Sequence, residues 1–235
     1  MKLIECKKLS VGYGNKIVCK DINLSIDKGQ YVCIIGENGS GKSTMLKTIL
    51  GLNKAVSGKI VFDKELQMNS IGYLPQQTEF QKDFPATVME IVMSGFLGKM
   101  GWRPFYRRGE KDKANRMLSE LGISDLAKKS YKELSGGQQQ KVLLARALCA
   151  TDEMLIMDEP VNGLDSRSIR SFYSLIKKLN RENGLTIVMV SHNIEKVIDY
   201  ATHIVYLKDK LEFVGTKDEF LSSEYAKNFK LEDRV

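Results

Sequence analysis

The chain has 235 residues, of which 43% are hydrophobic and 28% charged, and its formal net charge is +7. This composition is too apolar for a disordered protein and predicts a folded chain with a substantial core. The positive charge would suit nucleic acid, an anionic membrane surface or a lysine-rich exterior, and the interspersed acidic residues favour the lysine-rich exterior.

Two sequence patterns bear on where the chain resides. No stretch approaches the roughly 18 uninterrupted apolar residues of a bilayer-spanning helix, and the start lacks the apolar core of a secretory signal. We therefore expect a cytosolic chain. The four cysteines are far apart and form no CxxC pair, which predicts buried, reduced thiols at Cys6, Cys19, Cys33 and Cys149.

The first third of the chain is predicted to be mostly strands. The opening segment alternates apolar and polar residues around a turn at Gly12 to Asn15, as antiparallel strands with one solvated face do. A short buried strand is predicted at Tyr31 to Ile35, and a helix at Lys42 to Leu50. Two further strands are predicted at Gly58 to Phe62 and Ser70 to Leu74.

The middle of the chain, from Phe84 to Ala150, has helical periodicity. Its two predicted apolar helix faces consist of Val88, Ile91 and Val92, and of Ala114, Met117, Leu118 and Leu121. Beyond residue 150 strands alternate with helices, which predicts a mainly parallel sheet covered on both faces. The strands are predicted at Met154 to Met157, Thr186 to Val190 and Ile204 to Leu207, and the helices at Ser166 to Leu179 and Ile194 to Tyr200.

The string GENGSGKST matches a phosphate-binding loop, and its context of preceding strand and following helix is also right. Glycines let successive amides point at an anion, and the helix start adds partial positive charge. Lys42 is predicted to reach the β- and γ-phosphates of ATP, and the Ser43 hydroxyl to bind Mg²⁺. The predicted nucleotide-binding residues of the loop are Gly36, Asn38, Gly39, Ser40, Gly41, Lys42, Ser43 and Thr44.

Two carboxylates follow the apolar run MLIM. A buried parallel strand that delivers Asp158 and Glu159 at its carboxyl end places them where open α/β sheets bind ligands. Alone, the pair would be explained as an acidic turn. Beside a phosphate loop it predicts that Asp158 holds Mg²⁺ and that Glu159 is the general base toward water.

The string LSGGQ stands inside the helical block, at Leu134 to Gln138. By itself it is an N-cap with two glycines that expose helix amides. With it in place between a phosphate loop and a strand ending in Asp-Glu, the chain resembles the ATP-binding cassette (ABC) family over essentially its whole length. Lys141 and Ser166 depart from the family's usual arginine and proline, away from the nucleotide.

The resemblance implies an α/β fold, that of a P-loop NTPase with a RecA-like core. The expected division is a single ABC ATPase domain, 1–235, with core and N-terminal antiparallel β-subdomain at 1–83 and 151–235, and an inserted helical signature subdomain at 84–150. Tyr13 matches the family's aromatic residue that stacks on adenine, and His192 matches the family's switch histidine. Gln76 matches the glutamine that senses the γ-phosphate and Mg²⁺, and Asp165 the loop at the dimer interface.

The resemblance also implies a split site and several partners. In trans, the nucleotide held by Lys42 of one copy would meet the signature of a second copy, at Ser135, Gly136, Gly137 and Gln138. The expected partners are that second copy, integral membrane permease subunits and an extracytoplasmic substrate-binding protein, with no nucleic acid, at the cytoplasmic face of the cell membrane. A groove between the Gln76 loop and the helical block would receive a short helix of the permease. Several large side chains of this region would line the groove and others would lie in the core: Phe80, Phe84, Met93, Phe96, Trp102, Phe105 and Tyr106.

The cargo is indicated by one segment. The stretch DFPATVMEIVMSGFLGK and the basic aromatic residues after it resemble zinc and manganese importer cassettes, and iron-siderophore importers share much of it. A cassette for export, or a cassette that acts on ribosomes or DNA, is the alternative. The chain shows one cassette and no coiled-coil arms, which favours transport.

Overall fold

The described residues of the computed structural model are 1–14, 16–64, 66, 70–76, 85–227 and 229, and they belong to two compact units. The first unit comprises Met1–Leu66 and Lys177–Val235, and the second comprises Gln67–Ile176. The sequence-based division at residues 84 and 150 stays a prediction. Of the predicted turn at Gly12 to Asn15, Asn15 lies outside the described residues.

The strands and helices follow the predicted order closely. The strands are β1 Lys2–Tyr13, β2 Lys16–Asp27, β3 Tyr31–Ile35, β4 Ser57–Phe62, β5 Ile71–Leu74, β6 Met154–Asp158, β7 Thr186–Val190, β8 His203–Leu207 and β9 Leu211–Thr216. The helices are α1 Lys42–Ile49, α2 Val88–Met93, α3 Leu97–Met100, α4 Arg108–Glu120, α5 Gly136–Ala150, α6 Ser166–Asn183, α7 Ile194–Val197, α8 Lys217–Leu221 and α9 Glu224–Lys227. Short 3₁₀ turns connect several of them.

An antiparallel sheet in the first unit has the strand order β2-β1-β4. Its alternation of buried and exposed residues is interrupted, because the register shifts between Cys6 and Leu9 and again before Val11. Lys8 and Asp21 have positive φ angles of 46° and 54° at these irregularities. Bulges of this kind bend a strand and re-aim its side chains, so the simple one-faced pattern predicted from the sequence holds only in part.

Two parallel strands of the first unit, β3 and β7, are buried along their whole length. β3 pairs in parallel with β7 on one side and with β8 on the other. All five residues of β3 and all five of β7 are buried, as expected for strands covered on both faces. The prediction of a mainly parallel sheet is confirmed, with β9 added as an antiparallel edge beside β8.

Strand β9 and the helices after it are elements that the sequence pattern did not reveal. An aromatic cluster packs them onto β8 through edge-to-face and tilted ring contacts with centroids 5.2–6.1 Å apart. Aromatic pairs of this geometry are worth about 0.5–1.5 kcal/mol beyond their area burial. The rings belong to Tyr206, Phe213, Phe220, Tyr225 and Phe229.

The second unit contains the pair β5 and β6 and a set of helices around α5. β5 and β6 are parallel, with Leu74 opposite Met157. Helix α2 begins with a capping box between Thr87 and Glu90, which satisfies the first amides of the helix. The two predicted apolar helix faces are confirmed as core, with only Met117 half-buried among their seven residues.

All four cysteines are buried and free, as the sequence predicts. Burial raises the pKa of the Cys6 thiol to about 12, which keeps it protonated at neutral pH. None of the helices in the described ranges combines the length and the apolar character needed to span a bilayer.

Two glycines of the second unit determine how closely β5 and the turn after α2 pack on α5. A Cβ on Gly72 of β5 would lie 2.5 Å from the carbonyl oxygen of Ala147, and a Cβ on Gly95 would overlap the carbonyl of Arg146. Any side chain at these positions would push the strand or the turn away from the helix backbone.

We predict that Gly72→Ala destabilises the protein by about 1–3 kcal/mol, because the added methyl overpacks the contact with α5. The measurement is the urea midpoint of unfolding. Gly109→Ala is the matched control, since Gly109 lies in α4 with open space around its Cβ position and helix propensity favours alanine by up to about 1 kcal/mol. Equal midpoints for Gly72→Ala and the parent would contradict the packing described for this glycine.

Candidate functional site

The parallel strands of the first unit end at a common edge, and predicted site residues follow two of them. Gly36 follows β3, and Ser191 and His192 follow the neighbouring β7. The Ser191 amide donates to the carbonyl oxygen of Ile34 at 3.1 Å, which ties the two strand ends together. Ligands of open α/β sheets bind outside such carboxyl ends.

The loop from Gly36 to Gly41 turns sharply on positive φ angles. Gly36, Gly39 and Gly41 have φ angles of 152°, 87° and 92°, which side-chain-bearing residues rarely adopt. A Cβ on Gly36 would overlap the carbonyl oxygen of Leu207 at the end of β8. The sequence pattern GENGSGK is therefore required by close backbone approach as well as by the turn itself.

Lys42 is the charged centre of this loop. Its side chain is only 5% exposed, and its Nζ donates to the carbonyl oxygens of Gly36 at 2.8 Å and Glu37 at 2.7 Å. A buried ammonium is stabilised only when negative charge or good acceptors are close. The backbone of the loop thus holds one positive charge beside the first turn of α1.

Ser40 adds a second polar group to the loop. Its Oγ is buried and has no hydrogen-bond partner in the described part of the chain. An unsatisfied buried hydroxyl is costly unless a ligand supplies the partner. Together with the buried ammonium, this orphaned hydroxyl makes the loop fit a polyanionic ligand such as the phosphates of ATP.

Tyr13 and His192 are the other predicted nucleotide residues of the first unit. The Thr44 hydroxyl donates to the Tyr13 oxygen at 3.1 Å, so the tyrosine lies directly beside the phosphate loop while its ring is 57% exposed. His192 is exposed at the carboxyl end of β7. Asn193, and not His192, caps the short helix α7 through its Oδ1.

In the second unit, Gln76 and the two carboxylates also follow neighbouring strands. Gln76 is exposed two residues after β5, and Asp158 ends the paired strand β6 with only 2% exposure. Burial and the Asp158 charge raise the pKa of Tyr73 to about 12. Ser43, the third predicted Mg²⁺ ligand, belongs to the first unit.

Glu159 has a strained backbone. Its φ angle is 45°, an uncommon value for a residue other than glycine, and Pro160 follows it directly. Its Oε2 accepts a hydrogen bond from the Asn162 amide nitrogen at 2.7 Å. Strained residues held by their surroundings cluster at active sites, and here a side-chain amide fixes the direction of the carboxylate.

The signature forms the start of helix α5. Ser135 is the N-cap, and it makes a capping box with Gln138, whose Oε1 accepts from the Ser135 amide at 3.0 Å. The N-cap interpretation is therefore structurally right, and it does not conflict with anion binding at the same helix start. Gly137 lies against Ser168, since a Cβ at Gly137 would be 3.2 Å from the Ser168 hydroxyl.

Asp165 is joined to the signature through Ser168. Its Oδ1 accepts from the amides of Arg167 and Ser168, both at 3.0 Å, and its Oδ2 accepts from the Ser168 hydroxyl. These hydrogen bonds from Ser168 and Arg167 lower the pKa of the Asp165 carboxyl. Asp165 thus caps α6 and positions the Ser168 hydroxyl beside Gly137.

Three supporting residues were missed by the sequence analysis: Tyr73, Asn162 and Ser168. The spacing Asp165-x-x-Ser168 is a usable N-terminal helix signal, and it could have located the start of α6. Asn162 is identified by its hydrogen bond to Glu159, and Tyr73 by its half-buried position, where the charge of Asp158 helps to raise its pKa.

Comparison with known proteins gives the class of this chain. Residues 19–162 match the family model described as ABC transporter. The zinc uptake system ATP-binding protein ZurA of Listeria innocua is 36% identical over 93% of this chain and 88% of that protein. The manganese transport system ATP-binding protein MntB of Bacillus subtilis is 36% identical over 96% of this chain and 92% of that protein.

A solved structure agrees with these relatives. The dimeric structure of a bacterial ABC transporter cassette superposes with a TM-score of 0.73 and 30% identity, covering 92% of this chain and 99% of that one. The chain belongs to the ABC transporter family, as an ATP-binding cassette with ATPase activity. The predicted fold class is confirmed.

We predict that Lys42→Met weakens ATP binding at least about tenfold, since a charge-assisted hydrogen bond contributes about 1.5–3 kcal/mol. Isothermal titration with ATP measures the change. Lys47→Met, one turn further along α1, removes the same charge outside the loop and should bind as the parent does. Equal affinity for Lys42→Met and the parent would contradict the role of this ammonium.

Proposed function

We propose that this ATPase works as an ATP-bound dimer that drives uptake of a metal ion such as zinc or manganese through a separate membrane permease. The observation that carries the cargo assignment is the match to zinc uptake and manganese transport ATP-binding proteins, at 36% identity over more than nine tenths of this chain. The same match supports transport over a ribosomal or repair machine.

The phosphate loop supplies the proposed ATP site. Lys42 and the amides of the loop, with the Ser40 hydroxyl, would bind the phosphates, and Tyr13 would stack on the adenine. The exposed ring of Tyr13, held beside the loop through Thr44, supports this role. The remaining proposed contacts come from Gly36, Asn38, Gly39, Gly41, Ser43 and Thr44.

A magnesium ion is expected with the nucleotide. Ser43, Gln76 and Asp158 offer hydroxyl, amide and carboxylate oxygens, which are the donors that Mg²⁺ prefers. The buried, negatively charged position of Asp158 at the end of β6 supports the choice. When bound, the ion would neutralise charge on the β- and γ-phosphates.

Hydrolysis is proposed to use Glu159 as general base. The carboxylate, oriented by Asn162, would accept a proton from the attacking water as its oxygen bonds to the γ-phosphorus, and the bond to the β-γ bridging oxygen would break to give ADP and phosphate. His192 would hold the γ-phosphate in line, and Lys42 would stabilise the charge that develops on the phosphate oxygens. Gln76 would report whether the γ-phosphate is present.

Completion of the site is proposed to need a second copy of the chain. Ser135 starts α5 with its hydroxyl and with the amides of Gly136, Gly137 and Gln138, the arrangement that binds anions at a helix start. In the dimer these groups would contact the γ-phosphate bound to the partner copy. The dimeric cassette that superposes on this chain supports such an assembly.

The proposed permease contact is an apolar groove of about 330 Å³ in the second unit. It begins at Pro75, directly before Gln76. A permease helix inserted in the groove would therefore lie close to the glutamine proposed to sense the γ-phosphate. The groove is lined by Pro75, Ala86, Glu90, Ile91, Ser94, Tyr131, Leu143 and Arg146.

The large side chains that the sequence offered for docking divide as expected between core and surface. Met93 and Phe96 are buried, Tyr106 is half-buried, and Trp102 and Phe105 are exposed. Phe80 and Phe84 lie outside the described residues. A permease contact at the groove would place the chain at the cytoplasmic face of the membrane, and an extracytoplasmic substrate-binding protein would complete the importer.

We predict that Glu159→Gln lowers ATP turnover by about 10²–10⁴-fold, because a positioned general base contributes that much, while ATP still binds. The variant should accumulate as a dimer in saturating MgATP, as measured by light scattering after gel filtration. Glu182→Gln, an exposed carboxylate on α6 paired loosely with Lys178, is the matched control and should keep parental turnover.

The same variant tests the dimer. Adding Ser135→Arg to Glu159→Gln should leave the protein monomeric in MgATP, because the arginine blocks the helix start, whereas Ser119→Arg on the exposed side of α4 should not. A Glu159→Gln protein that stays monomeric in saturating MgATP would refute the shared site.

We predict that cells whose only copy is Glu159→Gln lose uptake of labelled zinc or manganese. The assay compares zinc, manganese and iron in cells that carry the parent, Glu159→Gln or Glu182→Gln. Selective loss of iron uptake would reassign the cargo to iron-siderophore import, and retained uptake of all three metals would exclude metal import. Co-sedimentation of the purified protein with ribosomes would favour the translation alternative.

A further inference from the structure

Residues 97–116 hold most of the net charge of the chain; we call them the basic aromatic segment. They contain seven lysine and arginine residues and two acidic residues, so this short segment carries +5 of the total +7. The acidic residues interspersed along the chain favour a dispersed, solvated positive charge. Its concentration in one segment of the second unit points instead to a partner with negative charge.

The same segment exposes its largest apolar side chains. Trp102 is 104% exposed and Phe105 81% exposed, and Leu97 at the start of α3 is 59% exposed. These tips are not the core-facing side of the segment, because Met100 and Ala114 fill that role and are buried. Trp and Phe tips displayed to solvent on a folded protein indicate a surface that becomes covered.

The loop that displays the tips is fixed in place. The guanidinium of Arg103 pairs with the Glu110 carboxylate at 2.7 Å, and the same carboxylate accepts from the Arg107 amide at 2.7 Å. The Arg103 amide also donates to the Met100 carbonyl at 3.2 Å. Because both sides of Pro104 are held, Trp102 and Phe105 are presented in a defined arrangement, and little ordering is needed on binding.

The remaining cations of the segment are available to a partner. Arg107, Arg108 and Lys111 are exposed, and their side chains form no ion pair within the described ranges. They follow Phe105 in the sequence by two, three and six residues. The segment thus offers exposed aromatic and aliphatic side chains together with guanidinium and ammonium groups.

We propose that the basic aromatic segment binds the anionic surface of a phospholipid bilayer directly. A tryptophan settles at the headgroup level of a bilayer with its apolar ring inward, and arginine and lysine bind the lipid phosphates around it. A protein partner would favour anchors that enter a pocket with few charges at the centre of the contact. Projecting apolar side chains combined with unpaired cations match the lipid surface better.

This contact is separate from the permease groove and independent of the cargo. One loop binds a membrane weakly, but a weak second contact raises the effective concentration of the cassette at its permease. The lipid contact would therefore help to retain the cassette at the membrane through each opening and closing of the dimer.

The test uses the only tryptophan of the chain, which makes Trp102 its own reporter. The purified protein is mixed with vesicles of phosphatidylcholine containing one quarter phosphatidylglycerol, or of phosphatidylcholine alone. We expect the tryptophan emission to shift to shorter wavelength, and to be quenched by lipids brominated in the acyl chain, only with the anionic vesicles. Added salt should reverse the binding.

Paired variants separate the two parts of the contact in a vesicle sedimentation assay. Arg107→Gln with Arg108→Gln should weaken binding roughly 25-fold, about fivefold for each charge, whereas Lys54→Gln with Lys64→Gln should have a much smaller effect. Trp102→Ser with Phe105→Ser should abolish sedimentation, while Leu52→Ser with Val56→Ser, at two apolar residues that are 62% and 40% exposed, should not. Unchanged melting temperatures establish that the variants fold.

An emission spectrum that is the same with and without anionic vesicles would overturn the proposal. A blue shift that requires the permease, and not the vesicles, would assign the segment to a protein partner and overturn it as well. Because neither ATP nor permease is needed for the vesicle assay, its failure would leave the proposed transport function untouched.

Discussion

The buried positive charge of Lys42 is the interaction on which the functional part of this protein depends. An ammonium with 5% exposure needs close acceptors, and the glycine loop supplies the carbonyl oxygens of Gly36 and Glu37 at 2.7–2.8 Å. That curl requires positive φ angles and a backbone contact with Leu207, which exclude a Cβ at Gly36. The charge, the glycines and the neighbouring strand therefore form one structural requirement.

Within each unit, other site groups are held by hydrogen bonds from neighbouring side chains. Asn162 orients Glu159, Ser168 links Asp165 to Gly137, and Thr44 holds Tyr13 beside the loop. A side chain fixed in this way has lost its rotamer freedom before substrate arrives. The strained backbone of Glu159, with a φ angle of 45°, likewise belongs to a site whose geometry is fixed before substrate arrives.

The surface of the second unit has two features that differ in physical character. One is the apolar groove that begins at Pro75, and the other is the basic aromatic segment with its exposed Trp102 and Phe105. The groove is concave and suits a helix, whereas the projecting tips suit a lipid interface. Their physical difference is the reason for assigning them to different partners.

The sequence by itself determined most of the order of strands and helices up to β8, the core faces of the helical block and the phosphate loop, because periodicity, glycine spacing and a lysine-serine pair are local properties. The tertiary structure decided what depends on distant contacts. It revealed the bulges of β1, the aromatic packing that adds β9 to the sheet edge, and the burial of Lys42 and Asp158. It also separated buried Phe96 from exposed Trp102 and Phe105, since exposure depends on which neighbours a side chain meets and hydrophobicity alone cannot specify them.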